Sequence, residues 1–163
     1  MKGNYINVNS CRKISNEEFN KLVANNCSPQ KNDVLLSKDG TIGKVSEYEQ
    51  DDALTLLSSI AIISVNDNMI MPYYLKYLLE SDMFYWNLNK FRSGSAIKRI
   101  VLKDINSLEF PIPTLSEQCK IVEILSTYDK KLNSESNNLK TLKNLKFGLM
   151  QQLLTGQTRV KID

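Results

Sequence analysis

Residues 115–154 read LSEQCKIVEILSTYDKKLNSESNNLKTLKNLKFGLMQQLL, and this stretch decides the architecture. It contains no proline, and its only glycine is Gly148. Apolar side chains recur at alternating steps of four and three: Ile121, Leu125, Tyr128, Leu132, Leu139, Leu142, Leu149 and Leu153. That spacing lays one apolar stripe along one side of an α-helix. The stripe turns polar at Glu135 and Lys146. A helix of this extent is about 60 Å long at 1.5 Å per residue. It is therefore expected to project and to pair with another helix, as a coiled coil, rather than fold back on its own domain.

Both ends of the helix are marked. Pro111 and Pro113 exclude helix just before it, because the residue preceding a proline is pushed out of the α region. Thr114-Leu115-Ser116-Glu117 has capping-box spacing. Gly156 follows Thr155 as a stop. The weak point is Asn133–Asn138, whose short polar side chains compete for backbone hydrogen bonds and allow a kink or short break there.

Upstream, the pattern is mixed. Tyr5–Asn9 alternates like a strand, and Ser15 has N-cap chemistry for a helix running to about Val23. Asp33–Ser37 reads as a buried strand, Lys38–Thr41 as a tight Asp-Gly turn, and Ile42–Tyr48 as the returning arm. Leu54–Val65 reads as one or two interior strands. Pro72 opens one helix and Ser81-Asp82 the next. Their aromatic residues fit core positions better than a base-stacking platform. Leu108, Phe110 and Ile112 alternate as a last strand. The expected class is α+β: a twisted, mostly antiparallel sheet domain over residues 1–112, a long helix over 113–156, and a tail over 157–163.

Composition narrows the function. The chain has 163 residues, 42% hydrophobic and 24% charged, with a formal charge of +3. No apolar run approaches a membrane span, and MKGNYINVNS has no apolar signal core. Cys11, Cys27 and Cys119 are an odd number without CxxC spacing. They imply neither a disulfide framework nor a zinc site, and a cytoplasmic location is expected. There is no histidine, which removes the commonest general base and the imidazole metal sites. Gly40–Lys44 fails as a phosphate loop, because Lys38 stands at its first glycine position and Val45 at its metal-binding hydroxyl. No cofactor, no metal and no catalytic residue are expected.

Two loops carry the chemistry that remains. Ser37–Lys44 offers Lys38, Thr41 and Lys44 around two glycines, which let a backbone approach phosphate closely. Lys90–Arg99 gathers Arg92, Ser93, Ser95, Lys98 and Arg99 around Gly94. Arginine and lysine supply phosphate contacts, and a bidentate arginine can read a guanine edge. Either loop alone reads equally well as a solvated turn. Together on one small sheet domain they nominate a face for double-stranded DNA.

These same segments resemble the type I restriction-modification specificity subunits. Val34–Val45, with its Asp39-Gly40-Thr41-Ile42-Gly43 turn, resembles a hairpin of that family. Phe91–Ser95 is similar to its Gly-Ser loop. Asp104–Val122, through Pro111-Ile112-Pro113 and Glu117-Gln118, resembles its domain–helix junction, and Gly148–Gly156 its helix end. The resemblance implies a non-catalytic target-recognition domain and one spacer helix, reading half of a bipartite DNA site and docking methyltransferase subunits. Full members carry two such units. This chain is therefore expected to begin inside the recognition domain, as a C-terminal half, a truncated gene product or a fragment, and to pair with a second copy or another half. Two alternatives stay open: a dimerisation scaffold without DNA binding of its own, and the recognition end of a fused restriction-methylation enzyme.

Overall fold

The computed structural model describes residues 11–49, 53–66, 68–90 and 99–161. In chain order the elements are α1 (Asn16–Ala24), β1 (Val34–Ser37), β2 (Val45–Glu47), β3 (Ile60–Ile63), α2 (Pro72–Glu80), α3 (Asp82–Lys90), α4 (Leu102–Asn106) and α5 (Leu115–Leu154). The chain divides into two compact units, Met1–Val122 and Glu123–Asp163. The expected first strand, Tyr5–Asn9, lies outside the described residues.

The sheet has the order β2-β1-β3 with both pairings antiparallel. Leu35 stands opposite Ser46 on one side and Ile62 on the other. The central strand is buried along its whole length. Successive side chains of a strand point to opposite faces, so β1 feeds two clusters. Val34 and Leu36 pack with Ala61, Leu79, Phe84 and Leu88. Leu35 packs with Tyr48, Leu54 and Leu56 on the opposite face. A strand covered on both faces shows a continuous apolar run instead of alternation, which is why Val34-Leu35-Leu36 is legible in the sequence. The α+β expectation, an antiparallel sheet followed by one long helix, holds.

Three local readings are corrected. The returning arm is shorter than Ile42–Tyr48, because Gly43 adopts φ +82 and delays the ladder to Val45. Leu54–Val65 yields strand only at Ile60–Ile63. Leu54 and Leu56 are buried all the same, as irregular chain under the second face. The alternating Leu108, Phe110 and Ile112 form no strand. Leu108 and Phe110 instead pack on the core from an extended segment after α4, a five-residue helix the sequence reading missed. Pro111 and Pro113 lack the N–H groups a ladder would need.

The long helix is continuous from Leu115 to Leu154, with no break at Asn133–Asn138. Strong helix-forming sequence on both sides propagates through the polar segment once the first turn is closed. Thr114 Oγ1 accepts from the Glu117 N–H at 3.3 Å, and Gly156 ends the helix at φ +76.

Its first turns are bound into the larger unit by Gln118, which is completely buried. The Gln118 amide oxygen accepts from the Met71 N–H at 2.8 Å, and its nitrogen donates to the carbonyls of Met69 at 3.0 Å and Pro113 at 2.9 Å. One side chain thus satisfies three backbone groups just before α2 and α5.

Candidate nucleic-acid interface

The Asp-Gly turn after β1 is shaped by hydrogen bonds more than by its charges. Ser37 is its hub. The Ser37 hydroxyl donates to the Thr41 carbonyl at 2.5 Å and accepts from the Lys44 N–H at 2.8 Å. The Gly43 N–H donates to the Ser37 carbonyl, and the Ser37 N–H to the Lys44 carbonyl, both at 2.9 Å. Gly40 adopts φ +70, a conformation that only glycine takes without cost. Gly43 is constrained twice: besides its φ, a Cβ there would lie 1.6 Å from the Tyr85 hydroxyl. The α3 tyrosine therefore presses directly on the turn.

The structure joins this turn to the end of the second basic loop. Asp39 and Arg99 form an isolated antiparallel bridge, and the Ile100 N–H donates to the Lys38 carbonyl at 2.8 Å. Their side chains form an exposed ion pair, Arg99 Nε to Asp39 Oδ2, at 3.8 Å. Pairs of this kind contribute about 0–1 kcal/mol, so Arg99 is available to exchange Asp39 for a phosphate at little cost.

The nominated residues fare differently. Thr41, Lys44 and Arg99 are exposed around this junction. Lys38 is not: it is only 8% exposed, and its backbone bridges Ser59 and Ile100. The strand that positions the turn buries most of this residue, unlike the exposed Thr41, Lys44 and Arg99. Arg92, Ser93, Ser95 and Lys98 lie outside the described residues.

Of the α2 and α3 aromatics, Phe84 is fully buried and Tyr74 and Tyr85 pack on the core. Trp86 differs: it is 70% exposed on α3, beside the tyrosine that touches Gly43. The sequence reading passed over it, although an exposed position within an otherwise core-forming helix is the available signal.

A carboxylate was also missed. Glu47, at the end of β2, has its Oε2 buried without a hydrogen-bond partner. Burial first, and then Glu49, push its pKa from 4.5 up to about 7, while Lys76 pulls the other way. Lys76 is itself 4% exposed and lies 4.8 Å from the Tyr77 ring. This cluster sits between β2 and α2 and has the character of a packing compromise. Among the described residues no group of acidic or cysteine side chains could hold a metal ion, and no helix is long and apolar enough to cross a membrane.

In the second unit the seam side chains of α5 are exposed. They include Tyr128, Leu132, Leu139, Leu142, Leu149 and Leu153. Leu125 is exposed to 37%, and Ile121 is half-buried. Leu145, Phe147, Met150 and Leu154 broaden the stripe near the C-terminal end.

The described chain is thus a small antiparallel sheet with a hydrogen-bonded turn, followed by a forty-residue helix. The chain belongs to the type I restriction modification DNA specificity domain family, whose profile matches residues 1–144. It is 32% identical over 131 residues to a Methanocaldococcus jannaschii protein described as the type I restriction enzyme MjaX specificity subunit, covering 76% of this chain and 30% of that protein. It is 28% identical over 156 residues to the type I restriction enzyme EcoBI specificity subunit of Escherichia coli, covering 93% of this chain and 32% of the relative. The chain thus spans about a third of the length of these curated relatives. The HsdS subunit from Thermoanaerobacter tengcongensis shares the fold, with a TM-score of 0.57 at 19% identity over 77% of this chain and 33% of that one. The family expected from the motifs is therefore the right one, and it is a specificity class, not a catalytic one.

Proposed function

We propose that this chain is a non-catalytic DNA specificity module of a type I restriction-modification enzyme, reading one half of a bipartite site. The observation that carries the reading is the Asp39–Arg99 bridge, which brings the ends of two separately basic loops to one edge of the sheet domain. Exposed Thr41, Lys44 and Arg99 form the described part of that edge, and the reading assigns DNA contacts to Arg92, Ser93, Ser95 and Lys98 of the second loop as well. Lysines and arginines there hold phosphates, while Arg92 and Ser95 reach base edges. The exposed seam of α5 docks methyltransferase subunits and pairs with another spacer helix. Residues 1–112 serve as the recognition domain and 113–156 as the spacer. Three cysteines without CxxC spacing suit the reducing cytoplasm.

Electrophoretic mobility-shift titration against mixed duplexes, with and without the cognate methyltransferase, tests the DNA reading. Sequence-selective retention that sharpens with the methyltransferase is expected. Equal affinity for all duplexes in the assembled complex refutes it.

A further inference from the structure

The segment that leads into β3 presents an exposed leucine between two anchors. Leu54 and Leu56 are buried, and the Leu56 N–H donates to the Cys27 carbonyl at 2.7 Å. The Ile60 N–H closes a turn on the Leu57 carbonyl at 3.0 Å, and the Ser59 carbonyl accepts from the Lys38 N–H at 2.9 Å. At the tip Leu57 is 76% exposed, and Ser58 is exposed beside it. We infer that the Leu57–Ser59 turn is a third DNA-reading element, with the Leu57 side chain on the C5-methyl group of a thymine in the major groove. This rests on the proposed DNA reading and deepens it, by naming a base contact and the residue that makes it.

A single exposed leucine is ordinary on a protein surface, so its position is what counts. Lys38 is the meeting point of three segments. Its N–H bonds to Ser59, its carbonyl accepts from the Ile100 N–H at 2.8 Å, and Asp39 next to it bridges Arg99. β3 runs antiparallel to β1, with Ile60 opposite Ser37. The turn before β3 therefore lies at the end of the sheet where the Asp39-Gly40 turn leaves β1. By chain reach, the α-carbons of Leu57 and Arg99 are at most about 22 Å apart. That is less than one turn of a duplex, about 34 Å, so one bound site can span both.

The chemistry divides between these residues. Lys44 and Arg99 are exposed cations suited to phosphates, and phosphate contacts fix position without reading sequence. Leucine has nothing to offer a phosphate. Its apolar surface suits the thymine methyl, the apolar group that a base pair shows in the major groove. A hydroxyl can bond donors and acceptors on base edges, and Ser58 stands next to Leu57 to take the neighbouring base. The anchors matter as well. A tip held by hydrogen bonds on both sides, with Leu54 and Leu56 in the core, loses little conformational freedom on binding.

Removing the methyl from the DNA and the leucine from the protein, separately and together, tests this in the complex with methyltransferase. The native complex first selects its preferred site from a randomised duplex pool. Each thymine of that site is then replaced singly by deoxyuridine, which lacks only the methyl. One replacement is expected to weaken native binding about five- to tenfold. The L57A complex is expected to bind the thymine and deoxyuridine duplexes equally at that position, with the affinity of the native complex for the deoxyuridine duplex. L57A should leave the salt slope unchanged, because no phosphate contact is lost. Leu57 is exposed, so Trp86 fluorescence and the urea midpoint should match the native chain. A leucine that only braces the turn would weaken binding to both duplexes alike and leave the deoxyuridine penalty in place, which overturns the inference. A selective native complex with no methyl-sensitive thymine in its site overturns it too, and leaves the DNA reading standing. A native complex that selects no site at all refutes the DNA reading itself, and this contact with it.

Discussion

Replacing Gln118 by leucine should uncouple the start of the long helix from the sheet domain. The side chain is fully buried, and its three hydrogen bonds, at 2.8, 3.0 and 2.9 Å, all go to backbone groups. Leucine is of similar volume, so little cavity forms. What is lost is the partner of the Met71 N–H and of the Met69 and Pro113 carbonyls. A buried polar group left unsatisfied costs about 1–3 kcal/mol. Partial access of water to residues at this rim holds the sum for three groups to about 3–5 kcal/mol, a large share of the stability of a small domain. Trp86 is the only tryptophan and sits on α3 in the same compact unit, so urea unfolding followed by its fluorescence reads this unit directly. The midpoint should fall with little change in the slope m. Q118E sharpens the test: it replaces the donor facing two carbonyls by a carboxylate oxygen. It should be at least as damaging at neutral pH and should recover as the carboxyl protonates. A Q118L variant within about 0.5 kcal/mol of native would refute the reasoning, because ordinary surface substitutions fall in that range.

Other expectations are equally direct. G43A should destabilise the domain by about 2–3 kcal/mol in urea unfolding, since a Cβ at φ +82 is strained and meets the Tyr85 hydroxyl. Combining it with Y85A should recover only the steric part. Glu47 holds its proton in the folded state up to about pH 7 but in the unfolded chain only to about 4.5. Its effect is absent below pH 4.5, and stability should fall as pH rises through that window, by about 1–2 kcal/mol after allowance for its partial exposure. E47Q should flatten this part of the pH–stability curve. In the complex with methyltransferase, neutralising Lys44, Arg92, Lys98 or Arg99 should each lower the log–log salt slope of DNA binding by about one unit. Unchanged affinity and slope for R92A and K98A would place DNA elsewhere. Purified chain given duplex DNA, S-adenosylmethionine, ATP and magnesium should neither methylate nor cleave, and labelled methyl incorporation above a mock preparation would overturn the specificity-module reading.

The sequence by itself determined the elements whose signals are local and repeated. The long helix was legible from its four–three spacing and from Thr114 and Gly156 at its ends, because a solvent-exposed helix is governed by its own periodicity and caps. Val34-Leu35-Leu36 announced a strand buried on both faces, and the Asp39-Gly40 turn announced a positive φ. The motifs also sufficed for the family. Tertiary structure alone decided what depends on contacts between distant segments. It buried Lys38 where charge alone suggested exposure, joined Arg99 to Asp39 across the two basic loops, and pressed Tyr85 onto Gly43. It turned Leu54, Leu56, Leu108 and Phe110 into core residues without strand pairing, since burial rewards apolar area whatever the backbone does. It also gave Gln118 its purpose. An amide reads as a surface residue in a sequence, and only the three-dimensional placement of the Met69, Met71 and Pro113 backbone groups makes a buried one favourable.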